Sequence, residues 1–293
     1  MSLTLTTAQR PRWREKLAYL AYQIRRSPLT MAGLAITFIV LLCMIFAPWL
    51  ASHDPNALDL AARLMPPSAE HWFGTDEVGR DLYSRVLFGS QQSVGVGLFV
   101  AFASCLIGGL LGCFSGVIGG RFDALIMRLM DIMLSVPSLV LIMALAAALG
   151  ASLFNAMLAI TLVRIPSYVR LARGQALSIR QMGYVKAAQT FGASRWHLVH
   201  WHVARNAMPP LLVQLSLDIG SAILMASALG FIGLGAQQPT AEWGAMVATG
   251  RNYILDNWWY STFPGLAILI TATGFNLLGD GVRDLLDPRQ QGK

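Results

Sequence analysis

Apolar residues along this 293-residue chain fall in long unbroken blocks rather than in short alternating runs. The clearest block, LTMAGLAITFIVLLCMIFAPWL, runs from Leu29 to Leu50 without a charged residue. Five more lie near Ser93–Ile118, Leu129–Leu149, Leu153–Tyr168, Pro210–Gly235 and Phe263–Leu278. A helix of about 20 apolar residues crosses a hydrocarbon core ~30 Å thick. The pattern therefore predicts an all-α protein with six transmembrane helices. The fourth block is the weakest, because Arg164 and Pro166 fall in its last turns. The third holds Asp131 near one end and Pro137 inside, which predicts a kinked helix.

Charge orients the blocks. Between Arg164 and Arg205 there are seven Lys or Arg and no acid. A stretch this basic stays on the cytoplasmic side. Residues 1–28 carry six basic residues and one acid, Glu15. With that tail inside, 18 of the 22 basic residues face the cytoplasm, and only Arg63, Arg80, Arg85 and Arg251 lie outside. Trp49, Trp258, Trp259 and Tyr260 then sit at outer span ends, where an aromatic belt belongs. The organisation expected is a cytoplasmic tail (1–28), a first span (29–50) and an outer loop (51–92). A five-helix core (93–280) with a cytoplasmic loop at 170–207 follows, then a cytoplasmic tail (281–293). Both termini are inside. Within 51–92, Thr75 or Asp76 is a candidate cap for a short amphipathic helix on the outer face. Asp76 with Arg80 and Asp81 with Arg85 are i,i+4 pairs there, and Val78, Leu82 and Val86 share one side. Their expected role is to orient the next span.

Composition agrees, with 55% hydrophobic and 13% charged residues, the latter about half the soluble average. The first span is too long for a signal-peptide core, so no processing signal is expected. Cys43, Cys105 and Cys113 lie within spans and read as packing residues. His197, His200 and His202 cluster in the basic loop without an acid or cysteine and read as surface or interface groups; His53 and His71 fall on the other side of the membrane. There is no HExxH, GxSxG or GxxxxGK[ST], and the GxxGxG of GFIGLGAQQP lacks a preceding strand. No catalytic, cofactor or metal residue is assigned, and no enzymatic activity is expected. Gly108, Gly112, Gly116 and Gly120 repeat every fourth residue, the spacing of a tight helix–helix seam, internal or between subunits. Only Asp131, Arg164 and Asp218 are ionisable within spans. The first two are placed for snorkelling or mutual pairing, and Asp218 sits two turns into the fifth span. So few charges, with no duplicated half, argue against an ion-coupled carrier.

Four strings carry a family resemblance: FGTDEVGRDLYSRVLFGSQQS (73–93), YVKAAQTFGAS (184–194), FIGLGAQQPTAEWGAM (231–246) and FNLLGDGVRDLLDPR (275–289). From about residue 25 to Pro288 the chain resembles the permease subunits of binding-protein-dependent ABC importers, in the dipeptide/oligopeptide/nickel branch. It looks most like the D,D-dipeptide (D-alanyl-D-alanine) type. The resemblance implies a type I ABC importer permease fold in the bacterial inner membrane, with spans two to six as the core and the first as an accessory helix. It implies a homologous second permease, two cytosolic ATPase subunits that bind ATP-Mg, a periplasmic or lipid-anchored substrate-binding protein and surrounding lipid. This chain would hold no cofactor and no nucleic acid.

In that family a cytoplasmic motif begins Glu-Ala-Ala, has a glycine a few residues on, and is followed by a short coupling helix that seats in the ATPase. Ala187, Ala188 and Gly192 stand at matching positions, whereas Lys186 replaces the Glu and Arg205 replaces a Pro before Asn206. The ATPase contact implied is Lys186, Ala187, Ala188, Phe191, Gly192, Ala193, Ser194 and Trp196. Its surface would be apolar and aromatic, from Phe191, Trp196, Leu198 and Val199, with a basic rim. The implied cargo is a small peptide, with Ser216, Asp218 and Ser221 as candidate path groups. Oligopeptides, nickel or its chelates, and glutathione are the alternatives within the branch. A secondary carrier would instead transport on an ion gradient, and a membrane scaffold would show no flux.

Overall fold

Ser27 opens the first helix. Its hydroxyl accepts the Thr30 N–H at 3.3 Å, and Pro28 occupies the first helical position, where no N–H is needed. The computed structural model describes residues 27–286. Most of the basic N-terminal tail and the last seven residues lie outside them. Helix α1 (Pro28–Leu50) buries only Thr30, Gly33, Thr37 and Ala47. It lies along the last helix, α9 (Trp259–Leu286), through glycine contacts: a Cβ on Gly33 would meet Leu278 N at 2.6 Å, and one on Gly274 would meet Ile36 at 2.5 Å.

A short 3₁₀ turn at Leu60–Ala62 interrupts the outer loop, and α2 (Leu82–Ile118) follows as one 37-residue helix. The separate amphipathic helix expected within 51–92 is absent. Gly74 and Gly79 take φ of +76° and +80°, which breaks any helix there, and the Asp76 carboxylate closes a tight turn by accepting the N–H groups of Val78 and Arg80. The cap is Asp81, not Thr75 or Asp76; it accepts the Ser84 N–H at 2.8 Å.

Gly119 and Gly120, at φ +68° and +61°, turn the chain out of α2 into α3 (Gly120–Leu134). Helix α4 (Ser138–Leu149) then starts at a bend of 91°. The expected kink is thus a full break. Pro137 stands between two helices, because it has no N–H to give and disfavours helical backbone before it. At 12 residues, or about 18 Å, α4 alone is shorter than a hydrocarbon core.

The rest of the chain forms α5 (Leu153–Arg180), α6 (Gly183–Thr190), α7 (Arg195–Ile232, π-helical at Leu198–Val203), α8 (Trp243–Gly250) and α9. Among the described residues there is no strand. Four helices, α1, α2, α7 and α9, are long and apolar enough to cross a membrane, and the bent α3–α4 pair makes a fifth. Helix α5, the weakest sequence expectation, is not in that set, since its 28 residues include four arginines.

The centre is the α2–α5 seam. A Cβ on Gly108 would lie 2.6 Å from Tyr168 Cβ, one on Gly112 2.4 Å from the Val169 carbonyl oxygen, and one on Gly116 2.6 Å from Ala176 Cβ. The glycine strip thus faces a neighbour within the chain. Gly120 does not join it; it makes the turn and has open space around it. Below the seam, Tyr168, Ala172 and Ala176 continue into a buried cluster with Val185 of α6 and Leu198, Val199 and Val203 of α7. The short helix α6 and the start of α7 are therefore built into the core.

Candidate functional site

At one end of the helix bundle, α6 carries the Lys-Ala-Ala motif. It is anchored through buried Val185, so Lys186 and Ala187 face outward and Ala188 is half-buried. Gly192 adopts φ +84°, and no atom lies within 4 Å of where its Cβ would be. Phe191 beside it is 90% exposed and Trp196 67% exposed. Ala193 is half-buried, and Ser194 caps α7 by accepting the His197 N–H at 3.2 Å. Trp196 also stacks on Phe114 at 5.3 Å, which fixes one side of the ring.

Two expectations change here. The short helix precedes Gly192 rather than following it, because Ser194 starts α7 at once. Leu198 and Val199 are buried in the core and offer nothing to a partner. Exposed Tyr184 and Trp201 take their place on the surface, with Arg205 lying 5.4 Å over the Trp201 ring. The His197 and His202 rings are 5.7 Å apart.

In the core, Arg164 of α5 reaches α7, donating to Ser221 Oγ at 2.8 Å and pairing with Asp218 Oδ1 at 3.5 Å. Gln214 donates to the same oxygen at 3.2 Å. The other Asp218 oxygen and the Tyr168 hydroxyl are buried without a partner among the described residues. Ser216 bonds its own helix, donating to the Val213 carbonyl at 2.8 Å. Asp131 takes Arg170 at 2.6 Å, so the pairing of Asp131 with Arg164 is not formed. Asp123 accepts both Arg173 Nε and Nη2, at 2.5 and 2.6 Å, and ties α3 to α5.

The other end of α2 holds the largest departure from the sequence reading. Asp76 and Arg85 are 0% and 2% exposed. Arg80 donates Nε to Asp76 at 2.5 Å and Nη1 to Gln238 at 2.9 Å. Arg85 lies 3.6 Å from Asp76 and donates to the Pro55 and Pro239 carbonyls. The Tyr260 hydroxyl donates to Glu77. Glu242, also buried, caps α8 by accepting the Gly244 and Ala245 N–H groups at 2.8 Å each, and it accepts the Ser93 hydroxyl. Burial pushes its carboxyl up, and those three donors pull it back. Asp81 takes no arginine; His71 Nδ1 stands 3.0 Å from its Oδ1 and His53 Nδ1 3.9 Å. Two of the resemblance strings, 73–93 and 231–246, thus interlock as one buried charged layer. Neither the two histidines nor the glutamine is a partner that spacing reveals.

The sequence that builds these helices and their two end layers matches a known class of protein. The family described as "Binding-protein-dependent transport system inner membrane component" matches residues 108–292, and "N-terminal TM domain of oligopeptide transport permease C" matches 17–67. The chain belongs to this family of importer permeases. It is 70% identical to the "Probable D,D-dipeptide transport system permease protein DdpC" of Escherichia coli K12, over 98% of this chain and 97% of the relative. It is 45% identical to the "Di/tripeptide transport system permease protein DppC" of Pseudomonas aeruginosa, over 88% of each. With the "Dipeptide transport system permease protein DppC" of Alkalihalophilus pseudofirmus it shares 41% identity, over 95% of this chain and 90% of the relative.

Proposed function

We propose that this chain is the permease subunit of an ATP-driven importer of small peptides, with D,D-dipeptides as cargo. The observation that carries the cargo reading is the 70% identity to a D,D-dipeptide permease over nearly the whole chain. In this reading α5 is the fourth of six spans and brings the five to six, both termini are cytoplasmic, and the protein resides in the bacterial inner membrane. A second permease completes the path and two ATPase subunits hold ATP-Mg. A substrate-binding protein delivers cargo to the outer face. The ATPase seats on the surface of Lys186, Ala187, Ala188, Phe191 and Trp196, where two large exposed aromatics flank an open glycine turn. The Asp218 oxygen without a partner supports a contact to a peptide ammonium, with Ser221 beside it and Ser216 on a different face of the same helix. The test is uptake of radiolabelled D-alanyl-D-alanine by cells whose own dipeptide importers are deleted. No uptake above vector, against uptake of L,L-dipeptides, would replace this cargo with an ordinary dipeptide.

Gly192→Trp tests the coupling surface. The turn has room for a side chain, so the expected cost to folding is only the left-handed backbone strain, about 1–2 kcal/mol. The expected result is normal membrane insertion with uptake reduced at least tenfold while ATP hydrolysis persists. Normal uptake would place the ATPase contact elsewhere.

A further inference from the structure

We propose that His53, His71 and Asp81 form a binding site for a divalent cation of the zinc class on the outer face. One nitrogen from each imidazole and one Asp81 oxygen all lie within 4.8 Å of one another. The His71 and His53 Nδ1 atoms stand 3.0 and 3.9 Å from Asp81 Oδ1, and His53 Nδ1 is also 3.0 Å from Ser52 Oγ, a contact the ion would displace. A tetrahedral ion with bonds of about 2.0–2.1 Å spaces its ligand atoms about 3.3 Å apart, so small ring movements close the set.

Charge gives a second, independent reason. The Asp81 carboxylate is 1% exposed, and no Lys or Arg pairs with it among the described residues. The nearby arginines are committed elsewhere: Arg80 to Asp76, Glu77 and Gln238, Arg85 to Asp76 and the Pro55 and Pro239 carbonyls. One Asp81 oxygen accepts the Ser84 N–H and lies 3.4 Å from Ser52 Oγ, which leaves the other facing two imidazoles. With a neutral His71 the 3.0 Å contact to its Nδ1 gives this buried carboxylate a hydrogen bond but no counter-charge, and a divalent ion taking the place of that ring proton supplies it.

The donors are also held in place. His53 N–H donates to Ser84 Oγ at 3.1 Å and His71 N–H to Ser68 Oγ at 3.0 Å. Half-exposed His53 opens onto a cleft of about 560 Å³ lined by Ser52, Asn56 and Phe88, so water can complete the coordination. Two imidazoles with one carboxylate favour zinc over calcium or magnesium, which prefer all-oxygen sets. A bound ion would clip the end of α1, the outer loop and the cap of α2 together.

The test is zinc titration of the full chain in lipid nanodiscs, with Co²⁺ as a spectroscopic probe of tetrahedral coordination. The expected result is one equivalent bound, with visible Co²⁺ bands, and at least a tenfold loss of affinity in His53→Gln, whose exposed side chain makes the change a mild one, with an unchanged melting temperature as the check on folding. The triple change His197→Gln, His200→Gln, His202→Gln is expected to retain the equivalent. No binding, binding unchanged by His53→Gln, or binding lost in the triple variant would each overturn the site.

Discussion

Replacing Gly112 with valine is expected to eliminate most of the folded permease. A Cβ there would sit 2.4 Å from the Val169 carbonyl oxygen, 2.7 Å from Ala172 Cβ and 2.9 Å from Arg173 N. Two of the three obstacles are backbone of α5, so no rotamer change relieves them. The helices must part, and the Gly108 and Gly116 contacts on either side part with them. Overpacking alone costs about 1–3 kcal/mol, and loss of the seam adds to that against a total stability of roughly 5–15 kcal/mol. Gly174→Ala on α5 is the matched control: nothing lies within 4 Å of its Cβ position, and alanine is the better helix former. Detergent-solubilised thermal melting of both variants checks this. Equal melting temperatures would mean that α2 and α5 do not touch as described.

The second large effect lies on the outer face. Asp76→Asn is expected to cost more than Arg85→Met, although both break the same layer. Without its carboxylate, two buried guanidiniums face each other with only partly exposed Glu77 nearby, and an uncompensated buried charge costs about 3–5 kcal/mol. Removing Arg85 leaves Asp76 still paired with Arg80 at 2.5 Å. The measurement is again melting temperature, with the yield of folded protein. The reverse order would show that the Arg85 bonds to Pro55 and Pro239, not the ion pairing, hold the layer.

The long apolar blocks made α1, α2, α7 and α9 legible from residues alone, because lipid demands a run of that length whatever the tertiary partners. Helix starts were less legible. The expected cap at Thr75 or Asp76 followed from residue type, while Gly74 and Gly79, which forbid a helix there, stood in the same string. Leu198 and Val199 show a different error. Val199, Val203, Ala207 and Leu211 repeat every fourth residue, a core stripe that outranks the motif-based expectation of exposure. The outer layer was not legible at all. Arg80 meets Gln238 across 158 positions, and Trp243 donates to Val86 across 157. No local pattern encodes such partners. For the same reason the coming together of His53, His71 and Asp81, from three separate parts of the loop, left no spacing signature.

The glycine seam has one mechanical consequence. Over about two helical turns α2 and α5 touch backbone to backbone, too closely for one to slide or tilt without the other. Helix α5 runs through a two-residue turn into α6, and α2, about 55 Å long at 37 residues, carries the buried charged layer at its other end. Such a pair would move as a single strut, from the glycine turn at one end to the ion pairs at the other. A rotation of about 10° at the inner end displaces the outer end of a rod that length by about 10 Å. Stroke at the far surface is thus set by helix length and the stiffness of one seam, with no flexible joint between.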